Sequence, residues 1–141
     1  MSKLIIIFAM MIPWPVCSNA ADLVVSIDNI DGNIGKVYAQ AFQGIEHYQK
    51  GIPVSQIQQD AKDGPNQLIF SDLQAGEYVV RIFHDQNNNE EFDQKENGIP
   101  LEGYGFSNEA AAEFGPPSYE DMIVIIKEDD VTVSTKAKMI Y

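Results

Sequence analysis

The stretch GEYVVRIFHD, residues 76–85, decides the fold of this chain. Successive side chains of a β-strand point to opposite faces, so Tyr78, Val80 and Ile82 share one face of this stretch. That face is entirely apolar or aromatic. The pattern therefore predicts a strand over residues 77–84 whose Tyr78 face lies in the core.

The segments on either side of this strand repeat the pattern. Alternating or wholly apolar runs predict five further strands: residues 23–27, 37–42, 67–70, 122–126 and 131–141. The turn between the first two predicts one hairpin, and the acidic turn between the last two predicts a closing hairpin. A total of about seven short strands predicts an all-β domain, a two-sheet antiparallel β-sandwich with little helix. Only residues 43–63 and 107–114 have the composition to form helix.

The N-terminus has the order of a secretory signal peptide. Lys3 precedes an apolar run, residues 4–12, and small side chains stand at Ser18 and Ala20, the two small positions of a cleavage site. The apolar run is too short for a membrane span, which needs about 20 residues. We therefore expect residues 1–20 to be cleaved, leaving one domain over residues 21–141. It would be periplasmic or extracellular, with no membrane insertion after cleavage.

The charge of the chain is strongly one-sided. Its formal net charge is −12, and loss of Lys3 with the signal peptide would make it −13. Such a surface repels phosphate backbones and anionic headgroups, so it argues against nucleic acid and membrane surfaces as partners. It favours cations, although solvated acidic surface that maintains solubility is the alternative interpretation.

One segment, HDQNNNEEFDQKENG at residues 84–98, carries recognisable chemistry. Counted from Asp85 as position 1, oxygen-bearing side chains fall at positions 3, 5, 9 and 12, the spacing of a Ca²⁺ loop, in which position 7 gives its backbone carbonyl. The predicted ligands are Asp85, Asn87, Asn89, Glu91, Asp93 and Glu96. Few carboxylates and neutral Asn ligands predict weak binding, with a dissociation constant on the order of 10⁻⁴ to 10⁻³ M.

Position 6 of the loop departs from the Ca²⁺ pattern. Glu90 stands where such loops usually have Gly, which allows the chain to turn sharply. Asn tolerates the left-handed backbone, so the three preceding Asn residues could redistribute the turn. The alternative is an Asn-rich turn that binds nothing.

Several ordered motifs span most of the predicted domain. They are Phe70-x-x-Leu73-x-x-Gly76-x-Tyr78, Ile82-Phe83-His84-Asp85-x-Asn87-x-Asn89, Gly98-Ile99-Pro100-x-Glu102-Gly103-Tyr104-Gly105-Phe106-Ser107-Asn108, and Gly115-Pro116-Pro117-Ser118-Tyr119-Glu120-Asp121. Together they resemble the bacterial family of exported proteins called DUF2141, a domain of unknown function. The resemblance implies a transthyretin-like or immunoglobulin-like β-sandwich outside the cytoplasm, and no established activity.

The resemblance also bears on the loop and its surroundings. Members of the family typically have Gly at the position of Glu90 and lack an acid at that of Glu96, whereas the Pro-x-Glu ending at Glu102 is typical. Glu102 is therefore an alternative closing carboxylate. The segment that follows supplies a possible contact surface: Tyr104, Phe106, Ser107 and Asn108. Core packing of Tyr104 and Phe106 is the other interpretation.

Three functions are compatible with these features. The first is a non-enzymatic exported module that binds Ca²⁺ and acts in binding a protein or carbohydrate ligand or in organising the cell envelope. The second is a hydrolase or carbohydrate-acting enzyme using His84 and nearby acids, which requires a pocket at His84. The third is a structural or assembly protein without metal, which requires an exposed sheet edge.

Overall fold

The computed structural model describes residues 19–141, so most of the predicted signal peptide lies outside the described residues. Of these residues, 50% lie in strands and 9% in helices, which confirms the all-β prediction. The eight strands are β1 Ala21–Ile30, β2 Lys36–Gln43, β3 Ser55–Asp60, β4 Gly64–Leu73, β5 Gly76–Asp85, β6 Gly103–Phe106, β7 Val124–Ile126 and β8 Thr132–Ala137. The two helices are α1 Gly44–Lys50 and α2 Tyr119–Met122. Neither described helix has the length and apolar character needed to cross a membrane.

The strands form two sheets, as predicted for a sandwich. One sheet has three strands in the order β4-β1-β8, and the other has the order β3-β2-β5-β6 with β7 also paired to β5. All pairs are antiparallel except β1 with β8, which is parallel. The parallel pair departs from the purely antiparallel prediction, since β8 returns to β1 from the far end of the chain.

Both predicted hairpins are wrong. β1 pairs with β4 and β8, whereas β2 pairs with β3 and β5. Likewise β7 lies beside β5 and β8 beside β1, so each predicted hairpin is a connection from one sheet to the other. The physical reason is that period-two alternation specifies which side chains face the core but not which strand supplies the hydrogen bonds.

Of the two segments predicted as possible helix, one contains a short helix and the other contains none. Residues 43–63 divide into α1 and β3, because Gly51 ends the helix in the left-handed conformation with φ +66°. The prediction of helix at 107–114 is wrong. Asn108 and Glu109 both have positive φ there, which a right-handed helix does not allow.

The core lies between the two sheets, and the Tyr78 face of β5 forms part of it. Tyr78, Val80 and Ile82 are at most 1% exposed, which confirms the prediction for that face. A second apolar cluster covers the opposite face of the five-stranded sheet at one end, beneath α1 and α2. Its buried members are Phe42, Val79, Phe106 and Met122. The other end of this outer face is left open, beside the loop that follows β5.

Candidate functional site

The predicted metal loop starts at the last residue of β5, Asp85, which is fully buried. Its Oδ1 accepts a hydrogen bond from the N–H of Asn89 at 3.2 Å, and its Oδ2 accepts one from the N–H of Glu90 at 3.0 Å. One carboxylate therefore holds the turn of the loop against the end of the strand.

The Asn side chains continue this inward curl. Asn87 Oδ1 accepts from the N–H of Asn89 at 2.9 Å, and Asn89 Oδ1 accepts from the N–H of Glu91 at 3.0 Å. The Nδ2 groups of Asn87 and Asn89 both donate to the carboxylate of Asp93. Five of the predicted ligand residues are thus linked by one hydrogen-bonded turn.

The sharp bend falls where a Ca²⁺ loop usually has Gly. Glu90 itself adopts φ +65°, and Asn88 adopts φ +59°. The turn is therefore redistributed only in part, because Asn88 shares it but Glu90 still takes the left-handed conformation. The hydrogen bond from the Glu90 N–H to Asp85 holds the residue there.

Glu102, rather than Glu96, closes the loop. Glu102 is 6% exposed, and its two carboxylate oxygens accept from the N–H groups of Gln86 at 3.0 Å and Asp93 at 3.2 Å. These two residues lie at opposite ends of the loop, so Glu102 braces both. Glu96 is exposed and makes no hydrogen bond or ion pair within residues 19–141, so its assignment as a ligand stays a prediction.

No basic side chain pairs with these acids. Across residues 19–141 the one ion pair joins Lys50 to Glu46 at 3.8 Å, on α1. In the same residues no three His, Cys, Asp or Glu side chains lie close enough together to hold a metal ion by themselves. A cation in the loop would therefore need amide and carbonyl oxygens as well, and the amides of Asn87 and Asn89 would turn their oxygens inward.

A family model described as an uncharacterized protein conserved in bacteria, DUF2141, matches residues 25–134. The chain belongs to the DUF2141 family. This match confirms the resemblance seen in the sequence motifs, and it spans both the loop and the strands that carry it. No curated protein and no solved structure matches the chain.

His84 is a structural residue in this DUF2141 domain. Its imidazole is fully buried, with Nε2 2.7 Å from the carbonyl of Ile34 and Nδ1 2.9 Å from the hydroxyl of Tyr141. The carbonyl can only accept, so Nε2 carries a proton and donates to it. Both ring nitrogens therefore have partners within the fold, and neither of the two grooves on the five-stranded sheet is lined by His84.

The predicted contact surface after β6 is largely buried. Phe106 is 6% exposed and lies in the second cluster, with half-buried Tyr104 packed against it, as the core-packing interpretation expects. Ser107 is fully buried; its Oγ donates to the carbonyl of Met122 at 2.6 Å and accepts from the N–H of Val80 at 3.0 Å. The contact-surface prediction is therefore wrong for Phe106 and Ser107.

Asn108 is exposed, but its side chain forms hydrogen bonds within the DUF2141 fold. Its Nδ2 donates to the carbonyl of Ile123 at 2.7 Å, and its Oδ1 accepts from the hydroxyl of Thr135 at 2.9 Å. Asn108 therefore joins the start of β7 to β8. These bonds hold the side chain of Asn108, whose backbone is left-handed with φ +60°.

The open part of the outer sheet face contains a groove that sequence reasoning missed. Tyr38 of β2 stacks on Phe83 of β5 with ring centres 4.9 Å apart and planes 7° apart. Phe92 of the loop lies 5.7 Å from Phe83 and 6.2 Å from Tyr104. The groove has a volume of about 650 Å³. The alternation of polar and apolar residues in β2 and β3 was the available signal, but strand pairing is needed to bring those residues together.

Proposed function

We propose that this DUF2141 domain is an exported, non-enzymatic binding module whose loop between Asp85 and Glu102 takes up Ca²⁺. The observation that carries the proposal is the inward curl of the loop. The side-chain amides of Asn87 and Asn89 donate to the carboxylate of Asp93, while the carboxylate of Asp85 accepts from the backbone N–H of Asn89. Oxygen-rich side chains at alternate positions are the donor set that a hard cation prefers.

The electrostatics of the loop support a cation. Asp85 is fully buried and Glu102 is 6% exposed, and neither forms an ion pair with a basic side chain in the described part of the chain. Burying a carboxylate without a countercharge costs free energy, which backbone N–H groups offset only in part. A Ca²⁺ ion near Asp85 and Asp93 would supply the missing positive charge.

The same donor set predicts a weak and Ca²⁺-preferring site. Amide oxygens are neutral, so the ion would be attracted by few formal charges, as in extracellular modules with dissociation constants on the order of 10⁻⁴ to 10⁻³ M. Mg²⁺ demands a small and rigid octahedral shell, which an exposed Asn-rich loop does not provide. An extracellular or periplasmic location supplies Ca²⁺ at a concentration that such a site needs.

Calorimetric and thermal titration of the purified protein with Ca²⁺ tests the proposal. At a Ca²⁺ concentration ten times the dissociation constant, binding stabilises the fold by roughly 1.4 kcal/mol. For a domain of this size we expect the melting temperature to rise by about 4 °C. Mg²⁺ at the same concentration is expected to produce a smaller rise.

Two variants of the loop distinguish a bound ion from a general salt effect. Asp93→Asn keeps the side-chain shape but removes a charge from the loop centre, so it should abolish the Ca²⁺-dependent rise. Glu96→Gln removes one charge from an exposed position that makes no contact with the loop centre, and should leave the rise intact. The metal assignment would be contradicted if Ca²⁺ raised the melting temperature equally in both variants, or did not raise it in the parent protein.

A further inference from the structure

The groove on the outer sheet face is built from two rows of side chains brought together by strand register. The six side chains come from β3, β2 and β5, and the rows are Gln58, Tyr38 and Phe83, then Gln56, Gln40 and Arg81. Glu90 and Phe92 of the loop line the same groove. The groove therefore lies beside the candidate metal loop but is formed mainly by rigid strands.

One side of the groove is a flat aromatic surface. The rings of Tyr38 and Phe83 stack nearly parallel, and Phe92 packs on Phe83 at a tilt of 51°. All three rings are half-buried, so part of each remains accessible to a ligand. Accessible aromatic rings provide a rigid apolar surface with little loss of conformational entropy on binding, and the C–H faces of sugar rings pack well on such surfaces.

The other side of the groove is polar and partly pre-organised. Arg81 Nη2 donates to Gln40 Oε1 at 2.7 Å, and the Arg81 guanidinium lies 5.2 Å from the centre of the Phe42 ring. Gln56 and Gln58 are exposed on the neighbouring edge strand. Each Gln amide both donates and accepts, which matches hydroxyl groups that do the same.

The unpaired hydroxyl of Tyr38 is a second observation that favours a ligand in this groove. Its oxygen is buried yet has no hydrogen-bond partner among residues 19–141. Buried polar atoms almost always have a partner, so this one requires an explanation. Burial, followed by the nearby carboxylates of Glu90 and Asp85, raises the pKa of Tyr38, so the phenol stays a neutral hydrogen-bond donor at physiological pH.

We infer that this groove binds a saccharide through ring stacking on Tyr38, Phe83 and Phe92 and hydroxyl contacts to the Gln side chains and Arg81. The strongly acidic chain disfavours nucleic acid. A peptide that adds a strand would pair with the backbone of a sheet edge, whereas this groove presents side chains on a sheet face. The inference rests on the proposed binding role, although it needs no metal.

Native gel electrophoresis in the presence of soluble polysaccharides tests the inference on the purified protein. The gels contain xylan, mixed-linkage β-glucan, galactomannan, dextran, soluble starch or hyaluronan, one in each. We expect retardation in at least one gel, followed by calorimetry with the matching oligosaccharide. If none of the six polysaccharides retards the protein, the inference is overturned.

Variants of groove residues show whether retardation comes from the groove. Gln58→Ala and Tyr38→Phe each remove one polar contact and keep the fold, so each should weaken binding by about threefold to tenfold. Gln67→Ala makes the same truncation at an exposed strand position of the other sheet and should bind like the parent. Equal binding by the parent, Gln58→Ala and Tyr38→Phe overturns the assignment of the groove.

The metal and the saccharide proposals fail separately. Retardation that persists in EDTA and in Asp93→Asn supports the groove even if Ca²⁺ titration gives no stabilisation. Ca²⁺ binding without retardation in any polysaccharide gel removes the groove proposal and leaves the metal loop. Enrichment of a groove-dependent peptide from a random peptide library, with no polysaccharide retained, also overturns the saccharide inference.

Discussion

At the scale of single residues, the loop after β5 contains an L-residue in a conformation that favours Gly. Glu90 has φ +65°, a backbone conformation that costs an L-residue roughly 1–2 kcal/mol. Its N–H donates a hydrogen bond to Asp85 Oδ2 at 3.0 Å. This hydrogen bond closes the turn and offsets part of the conformational cost. The family resemblance, in which Gly is typical here, agrees with the same geometry.

Glu90→Gly is therefore expected to stabilise the protein. Relief of the left-handed strain, less the greater freedom of Gly in the unfolded chain, should raise the free energy of unfolding by about 0.5–1 kcal/mol. Glu91→Gly, which removes the same charge at a residue without positive φ, should lower it by a similar amount. Urea denaturation of both variants provides the measurement. A loss of stability in Glu90→Gly equal to that in Glu91→Gly would contradict the argument.

At the scale of elements, the segment after β6 connects parts of the fold that are far apart in the chain. Ser107 hydrogen-bonds to β5 through the N–H of Val80 and to α2 through the carbonyl of Met122. Its neighbour Asn108 reaches β8 through Thr135. These bonds hold the second apolar cluster against the outer face of the five-stranded sheet.

Ser107→Ala should consequently destabilise the domain. The substitution leaves two buried backbone groups without their side-chain partner, which costs about 1–3 kcal/mol. Ser134→Ala removes an exposed hydroxyl from β8 and should change the free energy of unfolding by less than about 0.5 kcal/mol. Denaturant midpoints of the two variants are the comparison. Similar midpoints would mean that Ser107 has no structural role.

At the scale of the whole molecule, partly or fully desolvated tyrosines couple the stability of the fold to alkaline pH. Burial is the main cause that raises the pKa of five tyrosines above the ordinary value of 10.0: Tyr38, Tyr48, Tyr78, Tyr119 and Tyr141. Above that value the unfolded chain releases protons that the folded chain retains. Stability is then fully present below pH 10 and decreases as the pH rises further.

We expect the urea concentration at the unfolding midpoint to decrease as the pH is raised from 9 to 11. Tyr78→Phe removes one of these phenols, whose hydroxyl donates to the carbonyl of Gln74 at 2.8 Å. The variant should start from a lower midpoint, because that hydrogen bond is lost, but its decline with pH should be shallower. A midpoint that is constant over this range, or a steeper decline in Tyr78→Phe, would contradict the role of the tyrosines.

The candidate site divides into a local part that sequence could reveal and a distant part that it could not. The convergence of Asp85, Asn89 and Asp93 was predictable because these residues lie within one turn of chain. The contribution of Glu102 entered only through the family resemblance, since its loop returns from beyond Glu96. The groove was missed because Gln58 and Phe83 become neighbours of Tyr38 only through strand pairing.

The sequence by itself determined the all-β class, the inward face of β5 and the inward-curling acidic loop, because alternation and short-range spacing act along the chain. Only the tertiary structure decided which strands pair, as the wrongly predicted hairpins at β1–β2 and β7–β8 demonstrate. Backbone hydrogen bonds between strands are nearly the same for any pair, so their choice depends on packing of the complete core. That packing also buried His84 and Ser107, and it left the aromatic groove open.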